Sequence, residues 1–336
     1  MHFKDQSNFL RKMTWKRTLN GFLLLSSYLW SKLTKSPKIW GKPIAIGFEP
    51  TTSCNLRCPE CPSGLRSFTR PTGMLEKSLY EDSIEQLKDQ LLYLTFYFQG
   101  EPYLHPNFLD MVKYASKRKI YTATSTNAHF LNPEMAEKTV KSGLDRIIVS
   151  IDGTTQETYQ NYRIGGKLEK VLAGTKNLIE AKKKLKSNTP HIIFQFLVVR
   201  PNEHQIDEVY EMANALGVDE VRLKTAQIYD YAQGNALIPT IDKYSRYRDN
   251  GDGTFSIKNK LLNHCWKMWH SCVITWDGQI VPCCFDKDAE HPMGSLKEKS
   301  FDSIWHSSGY TQFRKALVHS RSDVEICKNC SEGALV

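Results

Sequence analysis

Apolar runs alternate with amphipathic stretches along the middle of the chain. Six short segments have the length and composition of buried strands, and the first five are each followed by a stretch with helical spacing of apolar residues. The strand-like segments are IAIGFEPT (44–51), LYLTFYF (92–98), IYTATST (120–126), LDRIIVSID (144–152), HIIFQFLVV (191–199) and VDEVRLKTA (218–226). Each β-then-α unit takes about 30 residues, the size of a βαβ repeat. The alternation predicts an α/β fold with a parallel sheet and helices outside it.

The pattern changes after residue 226. Asp-Gly pairs between apolar residues in NGDGTF (250–255) and TWDGQIV (275–281) predict two tight hairpins, and FDSIWHSSGYTQFRKAL (301–317) predicts a helix. We therefore place a domain boundary near residue 230. The expected domains are a basic amphipathic helical leader (1–43), a β/α domain (44–230) and a small cysteine-rich domain (231–336).

The leader carries most of the net charge of the chain. Residues 1–45 hold nine Lys and Arg against one acidic residue, Asp5, in a chain of net charge +9. Its apolar residues, including Leu19, Phe22, Leu29 and Leu33, recur at helical spacing. Three interpretations remain open: a helix packed on the protein or a partner, an in-plane membrane helix over residues 9–40 attracted to anionic lipid, and a nucleic-acid contact. The evidence for nucleic acid is weak.

Membrane insertion and export are not expected. The apolar run GFLLLSSYLW (21–30) is shorter than the ~20 residues that span a bilayer, and lysines follow it instead of a small-residue cleavage site. We expect a cytoplasmic protein, with peripheral contact on the inner face of the membrane as an alternative. The content of 40% apolar and 24% charged residues excludes a disordered or fibrous chain.

Nine cysteines fall in tight clusters, and because their number is odd and no export signal is found, metal binding is favoured over disulfides. Cys54, Cys58 and Cys61 have the spacing Cys-x3-Cys-x2-Cys in a loop after the first predicted strand. Three thiolates leave one ligand position open, as in a 4Fe-4S cluster whose fourth iron binds a small molecule. The alternative is a zinc site completed by a distant His or Cys.

This spacing, in its strand-then-loop context, resembles the radical S-adenosylmethionine (SAM) enzymes. The resemblance implies a partial (β/α)6 TIM-like barrel, a 4Fe-4S cluster at Cys54, Cys58 and Cys61, and SAM bound at the open iron. It also implies reductive cleavage of SAM to a 5′-deoxyadenosyl radical, with an electron donor such as flavodoxin or ferredoxin.

Further segments resemble the family's SAM contacts. QGEP, with Gln99, Gly100 and Glu101, is similar to the family's Gly-Gly-Glu-Pro, although Gln99 replaces the first glycine. Arg163 resembles the arginine that meets the SAM carboxylate, and Glu60 precedes the third cysteine, where the backbone is expected to face adenine. Four polar residues end the third and fourth strands, at the rim where such barrels bind ligands: Ser125, Asn127, Ser150 and Asp152. Taken singly, Asn127 or Asp152 is more often a helix cap or a turn residue than a ligand contact.

The C-terminal cysteines resemble a SPASM, or twitch, extension that carries one auxiliary 4Fe-4S cluster. The expected ligands are Cys265, Cys283, Cys327 and Cys330, with Cys284 as a competitor of Cys283. The alternative is a structural zinc knot. We expect Cys272 to be a buried strand residue and His264 and His270 to be surface or hydrogen-bonded side chains.

Together these features predict an enzyme that abstracts hydrogen from an unidentified small molecule, glycan, lipid or peptide, with oxidation or cross-linking as outcomes. The short leader makes a peptide substrate less expected. Lys224, Glu220 and Gln195 lie on late strands and are candidates to face the cavity. The competing hypothesis is a non-catalytic iron-sulfur or zinc scaffold that binds a partner.

Overall fold

A computed structural model describes residues 3–330 of the chain. Contacts divide these residues into two compact units, each built from three segments of the chain. The first unit contains residues 3–7, 54–67 and 123–260, and the second contains residues 8–53, 68–122 and 261–330.

Strands and helices alternate as the sequence predicts. Within the described residues the strands are β1 (Ala45–Phe48), β2 (Tyr93–Thr95), β3 (Tyr121–Thr126), β4 (Arg146–Ser150), β5 (His191–Val198), β6 (Glu220–Thr225), β7 (Tyr247–Asp249), β8 (Phe255–Ile257), β9 (Ser271–Ile274), β10 (Gln279–Val281) and β11 (Gly294–Ser295). The helices are α1 (Phe3–Leu10), α2 (Trp15–Thr34), α3 (Pro62–Leu65), α4 (Lys77–Leu87), α5 (Phe108–Lys117), α6 (Pro133–Lys141), α7 (Gln156–Tyr162), α8 (Leu168–Lys184), α9 (Ile206–Leu216), α10 (Lys267–His270), α11 (Phe301–Trp305) and α12 (Ser308–Ser320). All six strand-like segments of the sequence contain a strand, β1 to β6.

In the first unit, β4 lies between β3 and β5, and β6 lies beside β5, all parallel. All five residues of β4 are buried, as expected for a central strand of a parallel sheet that is covered on both faces, and Ile147, Ile148 and Val149 form its apolar centre. Helices α6 and α7 begin at capping residues that the chain supplies locally. Asn132 accepts a hydrogen bond from the Met135 amide, and Thr155 accepts one from the Thr158 amide. The predicted parallel β/α arrangement is confirmed.

The second unit contains strands in the order β11, β10, β9, β1, β2. Strand β9 is parallel to β1, and β10 returns antiparallel to β9 through a turn at Asp277 and Gly278, where Gly278 has φ +88°. This is the hairpin predicted from TWDGQIV. Its place beside β1 was not predicted, because Ile46 pairs with Cys272 across more than 200 residues of sequence.

Two other predictions for the C-terminal segments can be compared with the structure. The hairpin in NGDGTF is confirmed, since β7 and β8 pair with Asp249 opposite Phe255. The single helix expected over 301–317 is instead two helices, α11 and α12. Ser307 separates them because its side chain accepts a hydrogen bond from the Tyr310 amide and starts a new helix.

The leader contains α1 and α2. Thr14 caps the start of α2 by accepting a hydrogen bond from the Arg17 amide, and Lys35 ends it in a left-handed conformation. No helix among residues 3–330 combines the length and the hydropathy that crossing a membrane requires.

Candidate functional site

The cysteine loop (residues 54–61) lies in the first unit. Cys58 is buried, and Cys54 and Cys61 are half-buried. Leu56 and Cys58 belong to an apolar cluster with Tyr162, and the other two cysteines pack against that cluster. The loop is held by its own backbone: the Leu56 amide lies 3.4 Å from Cys54 Sγ, and the Cys61 amide donates to the Cys58 carbonyl at 3.3 Å. The structure therefore holds the three predicted thiols in one short, packed segment.

Gly64 sets the distance between α3 and the cysteine loop. A Cβ atom at Gly64 would lie 2.6 Å from the Cys58 amide nitrogen and 2.7 Å from the Cys58 carbonyl oxygen. Real Cβ atoms do not approach backbone so closely, and backbone cannot move aside as a flexible side chain can. This glycine lies only three residues after Cys61, and it is not among the site residues predicted from the sequence.

Arg163 connects the cysteine loop to the end of β4. Its Nε donates to Asp152 Oδ2 at 2.5 Å, and its Nη1 lies 3.7 Å from Cys58 Sγ. Asp152 is fully buried, and its other oxygen accepts a hydrogen bond of 2.7 Å from the Leu197 amide. Burial lowers the pKa of Arg163, but the charges of Asp152 and Cys58 outweigh it and raise that pKa well above its usual value. The guanidinium is thus a fixed positive charge beside a predicted cluster ligand.

Two features of this environment have opposite effects on the pKa of the Cys58 thiol. Burial raises its pKa, and the nearby Arg163 opposes the rise without cancelling it. Since only thiolates bind iron or zinc, Cys58 must release a proton when it becomes a ligand.

Three of the four polar residues predicted at the strand ends contact one another or the loop. Asn127 Nδ2 donates to Asn55 Oδ1 at 2.7 Å, which ties the end of β3 to the cysteine loop. Ser125 and Ser150 have their hydroxyl oxygens 3.5 Å apart on neighbouring strands. Asn127 also acts as a turn residue, because its side-chain oxygen accepts from the His129 amide at 3.1 Å.

The side chain of Glu60 has a contact that the sequence did not suggest. Its Oε2 accepts a 2.9 Å hydrogen bond from the Tyr229 amide. The carboxylate thus anchors the segment that follows β6 to the cysteine loop.

In the second unit, the QGEP segment packs against the chain that leaves β1. The Glu101 amide donates to the Ser53 carbonyl at 2.8 Å. Gly100 has φ +76°, and a Cβ atom there would lie 2.1 Å from the Thr51 carbonyl oxygen. Gln99 is not among the residues with positive φ. Of this pair only Gly100 needs to be glycine, which explains why glutamine is tolerated at position 99.

A buried ion pair lies beside this segment and was missed from the sequence. Arg70 donates to both carboxylate oxygens of Glu49, at 2.6 and 2.8 Å, and the Trp276 amide donates to Glu49 at 3.2 Å. Glu49 is fully buried directly after β1. The sequence does contain a sign of this ion pair, because Glu49 is the single charged residue in the otherwise uncharged segment IAIGFEPT.

Three of the four predicted auxiliary ligands surround one arginine of the second unit. Arg321 Nη2 donates to Cys330 Sγ at 3.4 Å. Burial lowers the pKa of Arg321, but Cys265, Cys330 and Cys327 outweigh it and raise that pKa. Burial raises the pKa of Cys327 to about 11, against the opposing effect of Arg321.

Cys283 has a different environment. It forms a hydrogen bond with Cys284 that, together with burial, raises its pKa, and Lys267 opposes the rise. Cys283 also acts on the pKa of Tyr310. Cys283 thus interacts with Cys284 and Tyr310, whereas Cys327 interacts electrostatically with Cys265 and Cys330.

The other histidine and cysteine predictions are confirmed. Cys272 is buried on β9, and burial raises the pKa of its thiol. His264 Nδ1 lies 2.9 Å from the Tyr28 hydroxyl, and His270 Nδ1 lies 2.9 Å from the Trp266 carbonyl. Within residues 3–330, no three His, Cys, Asp or Glu side chains are arranged to hold a metal ion. The metal ligand sets therefore stay predictions.

The late-strand candidates have distinct environments. Glu220 accepts hydrogen bonds from Arg222 at 2.6 Å and is 2.9 Å from His191 Nε2. Gln195 lies opposite Arg222 in the β5–β6 register, and Lys224 is exposed. The Glu220 carboxylate is thus hydrogen-bonded both within its own strand, by Arg222, and to the neighbouring strand, by His191.

Two family models match the chain. The model of the Radical SAM superfamily matches residues 48–220, just over half of the sequence. The SPASM model, an iron-sulfur cluster-binding domain, matches residues 265–331. These matches confirm the resemblance drawn from the cysteine spacings, and they imply SAM and 4Fe-4S clusters as cofactors.

Curated relatives cover most of the chain. The "tungsten-containing aldehyde ferredoxin oxidoreductase cofactor-modifying protein" of Pyrococcus furiosus is 27% identical over 319 residues, which covers 84% of this chain and 86% of the relative. The "mycofactocin maturase MftC" of Mycobacterium tuberculosis is 25% identical over 288 residues, covering 79% and 71% respectively.

Solved structures agree with the predicted fold class. Streptococcus suis SuiB bound to S-adenosylmethionine aligns with a TM-score of 0.64 at 15% identity, covering 90% of this chain and 75% of SuiB. SuiB bound to precursor peptide SuiA aligns with a TM-score of 0.63, covering 88% and 72%. The fold class is confirmed as a partial (β/α)6 TIM-like barrel followed by a small C-terminal domain.

Proposed function

The chain belongs to the radical SAM superfamily, and from this premise we propose that it is an enzyme that modifies a peptide or a cofactor precursor by hydrogen abstraction. When bound, the iron-sulfur cluster and SAM supply a 5′-deoxyadenosyl radical. The observation that carries the proposal is the packed cysteine loop with Arg163 held 3.7 Å from Cys58.

Cys54, Cys58 and Cys61 would hold the first cluster. Three thiols on one short loop suit a cubane with one iron left for SAM. Their packing against the cluster that contains Leu56 and Tyr162 would limit the access of water, most of all at the buried Cys58, and Arg163 would offset part of the negative charge of the thiolates.

The residues predicted from the sequence to contact SAM would bind different groups of the molecule. Arg163 would bind its carboxylate, since Asp152 already holds the guanidinium in place and less entropy is lost on binding. The backbone around Gln99, Gly100 and Glu101 would accept the ammonium group. Ser125, Asn127 and Ser150 would supply hydroxyl and amide groups, and the Glu60 backbone would face adenine.

Cys265, Cys327 and Cys330, whose thiols lie near Arg321, would be three ligands of the auxiliary cluster. Cys283 or Cys284 would be the fourth ligand. A cluster with all four irons held by protein has no position for SAM. Its role would be to pass an electron to or from a substrate radical, or to shape the pocket. A flavodoxin or ferredoxin would supply the electron that starts each turnover.

The names of the relatives support the substrate class. One relative is described as modifying a cofactor and another as a maturase, and SuiB was solved with a precursor peptide. A glycan, a lipid or another small molecule is the alternative substrate, with oxidation or cross-linking as the outcome.

Anaerobic reconstitution tests the proposal. Two 4Fe-4S clusters require about eight irons per chain, and a strong reductant with SAM should yield 5′-deoxyadenosine. Cys58→Ala should abolish this product and remove about four irons. Cys272→Ala is the matched control, because Cys272 is equally buried but lies on β9, and it should leave both readouts unchanged. Iron-loaded protein that forms no 5′-deoxyadenosine, or protein that binds zinc at Cys58, would support a non-catalytic scaffold instead.

A further inference from the structure

Helix α2 has its polar face inward and its apolar face outward. The buried side chains of this helix are Arg17, Asn20, Leu24, Ser27, Tyr28 and Ser31. The outer stripe, defined as the large apolar residues exposed on the opposite face, is Trp15, Leu19, Phe22, Leu29, Trp30 and Leu33. An ordinary surface helix has the reverse arrangement.

The inward polar contacts prevent the helix from turning its apolar side inward. Arg17 Nη2 donates to the Lys88 and Arg118 carbonyls at 2.9 and 3.1 Å. Asn20 both donates to the Lys42 carbonyl and accepts from the Lys42 amide, at 2.7 and 2.8 Å. Rotation of α2 would leave these buried groups without partners, so the outer stripe remains exposed.

The outer stripe is strongly exposed, with Ser26 as a polar position between Phe22 and Leu29. Its members are spaced so that they share one face along the whole 20-residue helix. Trp15 is 74% exposed, Phe22 65% and Leu33 83%. An exposed apolar patch of this extent marks a surface that contacts a membrane or another molecule.

Charge decides which occupant this face suits. Residues 1–45 carry nine basic residues and one acidic residue, and Lys32 and Lys35 lie in the last turn and at the C-cap of α2. A second copy of the chain would bring two positive leaders together in a symmetric contact, which repulsion disfavours. Anionic lipid attracts the lysines, while tryptophans such as Trp15 and Trp30 favour the boundary between headgroups and acyl chains.

We propose that the outer stripe of α2 lies in the surface of a bilayer that contains anionic lipid, with the helix parallel to the membrane plane. The contact is peripheral, and the lysines at the C-terminal end of α2 contact lipid headgroups. Binding combines burial of the stripe with electrostatic attraction, so it weakens when either is removed.

Vesicle flotation with the full chain tests this proposal. The protein should float with vesicles of phosphatidylcholine and phosphatidylglycerol, bind phosphatidylcholine alone much more weakly, and dissociate as salt rises. The double variant Phe22→Ser and Leu29→Ser should weaken binding about tenfold for each side chain. Tyr210→Ser, an exposed aromatic on α9, is the matched control and should not change binding.

A charge variant tests the second component. Lys32→Gln with Lys35→Gln should weaken binding to anionic vesicles roughly fivefold for each lysine, whereas Lys183→Gln on α8 should change it little. Circular dichroism and the melting temperature establish that each variant is folded. Absence of vesicle binding by the folded wild type, or binding unaffected by the double serine variant, overturns the proposal. A dimer in sedimentation that the serine variant dissociates, without vesicle binding, assigns the face to a second copy instead.

Discussion

Arg163 and Asp152 form a buried ion pair, with Arg163 Nε 2.5 Å from Asp152 Oδ2, and the same guanidinium reaches Cys58. The sequence predicted each of the three residues as part of the cluster or SAM site. It did not predict that Asp152, Arg163 and Cys58 contact one another in series. Asp152 thus fixes the positively charged guanidinium of Arg163 beside Cys58, which is proposed to bind the cluster as a negatively charged thiolate.

Removing Arg163 alone should be costly, because Asp152 is fully buried. We expect Arg163→Met to lower the free energy of unfolding of the apoprotein by about 3–5 kcal/mol. Adding Asp152→Asn should recover part of this loss, since a neutral amide then replaces the buried carboxylate that has lost its partner. Urea unfolding of the single and double variants measures the difference, and equal stability of wild type and Arg163→Met would contradict the ion-pair interpretation.

Gly100 should tolerate substitution far less than a glycine with the same backbone conformation elsewhere. Gly100 and Gly217 have φ values of +76° and +82°, but nothing lies within 4 Å of a Cβ atom at Gly217. Gly217→Ala should therefore cost about 1 kcal/mol, the conformational penalty by itself. Gly100→Ala should cost at least about 2 kcal/mol more, because the new atom meets the Thr51 carbonyl. Chemical denaturation of both variants tests this, and similar losses would show that the contact relaxes freely.

Arg321 should tune the auxiliary cluster. A positive charge next to the thiolates stabilises the reduced cluster, so Arg321→Gln should lower its reduction potential by an amount on the order of tens of millivolts. Arg321→Lys keeps the charge and should recover most of the potential. Redox titration followed by electron paramagnetic resonance measures both. An unchanged potential in a fully loaded Arg321→Gln protein would refute this role.

Glu220 should act in stability rather than in catalysis. Burial raises its pKa, but hydrogen bonds from Arg222 and His191 outweigh it and lower the pKa to about 2. A lowered pKa means that the carboxylate stabilises the fold above its unfolded pKa, and this contribution is lost as the pH falls from about 4.5 towards 2. Glu220→Gln should cost about 2 kcal/mol at neutral pH after allowance for solvent screening.

The difference in stability between wild type and Glu220→Gln should vanish near pH 2. Unfolding measured across this pH range checks the sign. The rate of 5′-deoxyadenosine formation should stay unchanged, and a large fall in that rate would return Glu220 to the list of residues that face the cavity.

Local sequence was sufficient to predict the β/α alternation and the first cysteine cluster. Strand length, helical spacing and Cys-x3-Cys-x2-Cys each involve residues within one element or one loop, so short-range physics specifies them. The same holds for the TWDGQIV hairpin, where Asp-Gly selects the turn. The prediction of one helix over 301–317 was wrong because the segment forms two helices. The cause is local, since Ser307 caps the start of the second helix.

Other features depend on contacts between distant parts of the chain, and only the tertiary structure decided them. Arg163 and Cys58 are separated by 105 residues, and β9 pairs with β1 across more than 200. The face of α2 that is buried was likewise decided by partners such as the Arg118 and Lys42 carbonyls, because buried hydrogen bonds outweighed the apolar pattern of the helix. The sequence determined which groups are available and which local elements carry them. The tertiary structure determined which of these groups contact one another. A long-range contact depends on the position of every intervening element, so no short segment of the sequence predicts it.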